Sequence, residues 1–131
     1  MRREAGGGRR KTRRHEQLDA WQDAMLVVEA IYRATASLPD SERFGLTIQL
    51  RRAAVSVASN IAEGAARQST AEFLKFLAIA RGSLSEVDTQ IQIARRLQFL
   101  RSDDELDETL DRCFAKLGGL IRALKAKTGA V

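Results

Sequence analysis

Proline, cysteine, histidine, tryptophan and tyrosine each occur once in this chain of 131 residues. A single proline, Pro39, leaves most of the chain free of the residue that most sharply breaks helices. A single cysteine, Cys113, excludes an internal disulfide, and no Cys or His neighbours it in sequence to suggest a zinc site. The one histidine, His15, lies near the N-terminus, so no Ser-His or Cys-His pair is expected beyond it. The Glu-x-x-His motif of di-iron bundles is missing as well. Long apolar runs are also absent. The longest uncharged stretch, Ala53 to Ala62, is ten residues, about half of what crossing a bilayer requires. The N-terminal arginines are not followed by an apolar run of signal-peptide length. The expectation is a soluble, cytoplasmic protein that is not an enzyme, without cofactor or metal.

What the chain does contain is 44% hydrophobic residues and abundant Ala, Leu, Arg, Glu and Gln, which lose little freedom in a helix. Its length suits one domain, and the composition predicts an all-α fold. The net charge of +5 is unevenly distributed. Residues 1–16 hold seven Arg or Lys against two Glu, whereas residues 17–131 hold fifteen of each sign. Electrostatic arguments about partners therefore belong to the N-terminus. With three consecutive glycines and clustered like charge, residues 1–17 read as a flexible basic arm ahead of a bundle over 18–128.

Four helical patterns follow. In the first, Leu18, Trp21, Met25, Val28, Tyr32 and Thr35 form a stripe that ends before Pro39, and Trp21 and Tyr32 are expected in the core. The second carries Leu46, Leu50, Ala53, Val57 and Ile61, with Gly64 suited to a left-handed stop. Ser69 to Glu72 has the form of a capping box opening the third, whose stripe is Phe73, Leu77, Ala80, Leu84, Val87, Ile91 and Ala94. The fourth opens on Ser102 to Glu105, in which capping explains the acidic cluster better than a hard cation does. It runs through Leu106, Leu110, Cys113, Leu117, Leu120 and Leu124 to Gly129. Short connections favour an antiparallel up-down-up-down four-helix bundle.

Two features remain outside that core. Ser56, Asn60 and Glu63 step along one side of the second helix, among alanines that allow close approach. Buried polar groups need partners. The third helix offers Arg81, Ser85 and Asp88, continuing to Gln92 and Arg95, so a polar seam between these helices or between subunits is expected. The third helix also bears a second row, Phe76, Ile79, Ser83, Gln90, Ile93 and Leu97. A bundle helix needs one stripe, so the second is assigned to an oligomer interface.

The motifs "QLRRAAVS" at 49–56, "NIAEG" at 60–64 and "EFLKFLAIARGSLSE" at 72–86 closely resemble the bacterial four helix bundle proteins first noticed inside 23S rRNA intervening sequences. The resemblance runs from about Leu18 to Leu124. It implies a homopentamer without established catalytic activity. It also implies kinship with the accessory protein of diversity-generating retroelements, which binds a reverse transcriptase and nucleic acid.

The arm holds "RRKTRR", five positive charges in six residues, a segment able to neutralise phosphates without reading sequence. The function expected is therefore nucleic-acid binding, to RNA in the first instance, as an accessory factor. Arg9, Arg10, Lys11, Arg13 and Arg14 of the arm would act with Arg51, Arg52, Arg67, Arg95 and Arg96 of the bundle. The rival expectation is a protein scaffold whose second row docks a partner such as a reverse transcriptase, the arm being a solvated extension.

Overall fold

The computed structural model describes residues 11–129, all of whose regular structure is helical. Four α-helices, α1 (Asp19–Thr35), α2 (Leu46–Ala65), α3 (Thr70–Arg96) and α4 (Asp104–Thr128), are preceded by a short 3-10 turn at Arg14–Gln17. A second such turn, Asp40–Glu42, lies between α1 and α2. Each helix packs on two others: α2 on α1 and α3, α4 on α3 and α1, while the pairs α1–α3 and α2–α4 do not meet. The α2–α3 seam is the most extensive.

Local chemistry accounts for the helix ends. Ser69 Oγ accepts from Glu72 N at 3.1 Å to open α3. Asp103, one residue later than the Ser102 expected, opens α4 by accepting from Leu106 N at 3.2 Å. A carboxylate at that position also faces the positive end of the helix dipole. Gly45 has no side chain to cap α2, and Glu42 Oε1 accepts from Leu46 N instead at 3.1 Å. Gly129 closes α4 in the left-handed region at φ 77°, as its sequence position suggested. The end of α3 was not foreseen: Gln98 takes φ 63° while Phe99 N donates to Ala94 O and Gln98 N to Arg95 O. This is a Schellman closure built on glutamine where glycine is usual.

The core agrees with the expected stripes of α2 and α3, every member of the α3 stripe being buried. In α4, Leu106, Leu110, Cys113 and Leu117 are buried, and Ile121 takes the place expected of Leu120 and Leu124, which are half-buried. For α1 the phase differs. The buried face is Ala20, Ala24, Val27 and Ile31, followed by Leu38 beyond the helix, while Trp21 and Val28 are half-buried and Met25 and Tyr32 exposed. Tyr32 is held outside by Arg51, whose guanidinium lies 4.4 Å from the ring centroid.

Gly64 also differs from expectation. It is buried inside α2 and has no left-handed φ. A Cβ there would meet Phe73 Cδ1 and Phe76 Cβ at 2.9 Å and Phe73 O at 3.2 Å. Its role is close approach of α2 to α3. Gly64→Ala is expected to destabilise by about 1–3 kcal/mol, overpacking outweighing the propensity gain. Gly82→Ala, where a Cβ meets nothing within 4 Å, should stabilise by about 0.5–1 kcal/mol. Urea unfolding of the two variants checks both signs.

Cys113 behaves as a buried small apolar residue. Burial, with a smaller contribution from Asp23, pushes its thiol up to about 12. In the unfolded chain the thiol ionises above about 8.5. Its share of stability is therefore complete below that pH and lost as pH rises from there towards the folded value. Denaturation midpoints should fall across this alkaline window, and Cys113→Ala should show a shallower fall.

Candidate nucleic-acid interface

The expected arginines do not converge on one surface. Arg9 and Arg10 lie outside the described residues. Arg14 donates to Ala65 O at 2.9 Å, at the end of α2, and lies 5.7 Å above the Phe73 ring. The 3-10 turn that follows packs on α1 and α2, and His15 meets Trp21 edge-on at 4.9 Å. The boundary expected at 17/18 thus falls within a segment docked on the bundle, and Arg14 is its anchor. Lys11 and Arg13 are exposed, the Arg13 guanidinium donating to Lys11 O at 3.1 Å.

Arg51 is turned towards the end of α1, where it donates to Thr35 Oγ1 at 2.8 Å and Tyr32 O at 3.4 Å. Arg95 is directed towards α4, paired with Asp107 at 2.9 Å and donating to Arg101 O at 3.3 Å. Arg67 pairs with Glu63 at 2.8 Å and lies 4.7 Å over the Phe76 ring. Arg52 is exposed beside a shallow groove with Glu86 and Gln90, and Arg96 is exposed on α3. The bundle arginines therefore serve several separate seams. A helix-end carbonyl takes up Arg51, as one takes up Arg14, and a loop carbonyl takes up Arg95.

The polar seam exists between α2 and α3, with different partners from those expected. Ser56 Oγ and Ser83 Oγ are 2.8 Å apart, Ser83 being buried. Asn60 Nδ2 donates to Ser56 O at 2.9 Å and to its Oγ at 3.0 Å. Farther along, Gln90 Nε2 donates to Gln49 Oε1 at 3.4 Å. Arg81 and Ser85 are exposed, and Asp88 accepts from Gln92 within its own helix at 3.0 Å. Their row ends at Arg95, which faces α4, so it lies on the wrong side of α3 to meet α2. Glu63 is exposed and engaged by Arg67 alone.

The second row of α3 is divided. Ser83 belongs to the seam, and Phe76 is half-buried against Gly64 and Arg67. Gln90 is half-buried with a sheltered Oε1 that has no partner. Ile79, Ile93 and Leu97 stay exposed at 45%, 41% and 55%, uncovered by the described residues. Elsewhere Met25, Tyr32 and Val55 are exposed on α1 and α2. No described helix is long and apolar enough to cross a membrane.

These four helices, with the α2 and α3 motifs forming their most extensive seam, match the family described as 23S rRNA-intervening sequence protein over residues 16–119. The chain belongs to that family. A search among curated proteins gives no match. The matched region leaves residues 1–15, with the basic segment, outside and contains the polar seam and all five bundle arginines considered above.

Ser56→Ala would leave Ser83 buried without its partner, at an expected cost of about 1–2 kcal/mol. Adding Ser83→Ala should cost less than the sum of the two single changes. A double-mutant cycle in urea measures the coupling.

Proposed function

We propose that this family member is a cytoplasmic, non-enzymatic homo-oligomer that binds nucleic acid, specifically RNA, as an accessory factor, its basic N-terminus supplying the first contact. The observation that carries this reading is the separation of charge. The whole net positive charge resides in residues 1–16, and of the described cations there, Lys11, Arg13 and Arg14 have no carboxylate within ion-pair distance among the described residues. Arg14, Arg51, Arg67 and Arg95 are engaged within the fold, so the residues ahead of Arg14 outrank them as the binding element.

For the assembly we propose helices alternating up and down and five copies in a ring. The pairings Gln49–Gln90, Ser56–Ser83 and Gly64–Phe73 support opposite directions for α2 and α3, since the index rises on one as it falls on the other. Two unlike apolar patches, Ile79 with Ile93 and Leu97 on α3, and Met25 with Tyr32 and Val55 on α1 and α2, suit a head-to-tail contact that closes on itself. Light scattering is expected to give about five times the 14.5 kDa chain mass. A monomer at micromolar concentration overturns the assembly. Repetition of the arm around a ring would raise effective concentration at the ligand.

Binding of labelled RNA at several salt concentrations tests the function. Deleting residues 1–13, which leaves the Arg14 anchor in place, should weaken binding and lower the salt slope by up to about 4, six cations being lost. Unchanged affinity removes the arm from the interface. Absence of any RNA binding by the full chain favours instead a scaffold whose exposed α3 row docks a protein such as a reverse transcriptase.

A further inference from the structure

The arm does not leave the bundle at an arbitrary place. Arg14 is fixed where α2 ends and α3 begins, through Ala65 O and the Phe73 ring. The far end of α4 lies at the same end of the bundle, beside α1 and not in contact with the 3-10 turn at Arg14–Gln17. Asp23 meets Arg112 at 3.6 Å and Asp19 meets Lys116 at 3.7 Å. A step of one turn towards the start of α1 is therefore a step of one turn towards the end of α4. Extending this register carries Arg122, Lys125 and Lys127 past the start of α1, Lys127 lying about 16 Å along the axis from Lys116. That is the end of the bundle at which the Arg14–Gln17 turn packs on α1 and α2.

The charge on α4 is strongly segregated. Its first turns hold Asp104, Glu105, Asp107 and Glu108, and no acidic residue follows Asp111. Arg122, Lys125 and Lys127 have no carboxylate within ion-pair distance among the described residues. Cations are favoured at the negative end of a helix dipole, which accounts for their presence on α4. It does not account for their lying at the same end of the bundle as the basic N-terminus, itself held there by a dedicated arginine.

We infer that Arg122, Lys125 and Lys127 form, with Lys11 and Arg13, one phosphate-binding rim at this end of the bundle, to which the arm delivers RNA. The inference rests on the RNA-binding reading above and deepens it: the folded body contributes to the site, and contributes at this end. Lysine ammonium groups on a solvent-facing helix end supply point charges for the RNA backbone and carry no base-edge readout.

The test is titration of a labelled single-stranded RNA of about twenty nucleotides with the full chain and with the full-length triple variant Arg122→Gln, Lys125→Gln, Lys127→Gln. These side chains lie beyond the last buried residue of α4, Ile121, and circular dichroism with thermal unfolding verifies that the variant is folded. Losing three phosphate contacts should weaken binding by roughly tenfold or more near 0.1 M salt and reduce the salt slope by about 2, whatever the RNA sequence. If the full chain binds RNA and the folded variant matches it in affinity and slope, the rim is overturned while the arm's role stands. If the full chain does not bind RNA at low salt, the RNA-binding reading fails and takes the rim with it.

Discussion

The closeness of α2 to α3 at Gly64 is the constraint on which most of the molecule's arrangement depends. Phe73 and Phe76 lie against the bare backbone of that glycine, and each ring then supports an arginine, Arg14 over Phe73 and Arg67 over Phe76. One close approach thus places two stacked guanidinium groups at the same end of the bundle. Because Arg14 also donates to the last carbonyl of α2, Ala65 O, packing at Gly64 sets where the basic N-terminus departs. The Ser56–Ser83 contact farther along the seam contributes in a different way. A buried hydroxyl pair is worth little net energy, but sliding the helices would leave both groups unpaired at higher cost, so it holds the register that the glycine permits.

With its internal charges balanced, the bundle separates stability from interaction. The buried face is largely apolar on all four helices; of the few buried polar groups, Thr35 and Thr109 donate to carbonyls within their own helices, while Ser83 and Asp23 find partners on a neighbouring helix. Surface ion pairs such as Arg67–Glu63 are solvent-screened and contribute little. Folding therefore makes few demands on the cations of the arm and of the α4 terminus, leaving them available to a polyanion.

Much of this was legible in the sequence where one signal dominated. The α3 stripe and its Ser69 cap agree residue by residue, because a long run of large apolar residues at alternating three- and four-residue spacing admits a single buried face. On α1 two adjoining stripes competed. The larger residues, Trp21, Met25 and Tyr32, suggested one phase, yet the alanines Ala20 and Ala24 are buried with Val27 and Ile31. Small residues bury where helices come close, and side-chain size alone is then a misleading guide. Gly64 was read as a stop because glycine near a helix end usually is one, when its missing Cβ is what α3 requires. Of the seam residues expected on α2, Ser56 reaches α3, Asn60 bonds back to Ser56 and Glu63 turns to Arg67, and the partners on α3 differ from those expected. Facing residues depend on the relative rotation of two helices, which neither sequence states by itself.

The arginines show most clearly why composition misled about the site. Sequence reasoning treated each solvent-compatible arginine as a free cation, but Arg14, Arg51 and Arg95 all reach helix-end or loop carbonyls at distances from 2.9 to 3.4 Å. A guanidinium presents several donors in a fixed fork and so suits carbonyls at a terminus as well as it suits phosphate. Lysine, with a compact and strongly hydrated ammonium on a flexible stem, has less to gain from such buried roles. In this fold Arg14, Arg51 and Arg95 are committed to structure, while Lys127 of the last α4 turn is exposed and Lys125 half-buried. Base-edge recognition calls for oriented bidentate donors, and the bundle has placed Arg51, Arg67 and Arg95 against carbonyls and carboxylates, so the RNA contact proposed above would be directed to the backbone.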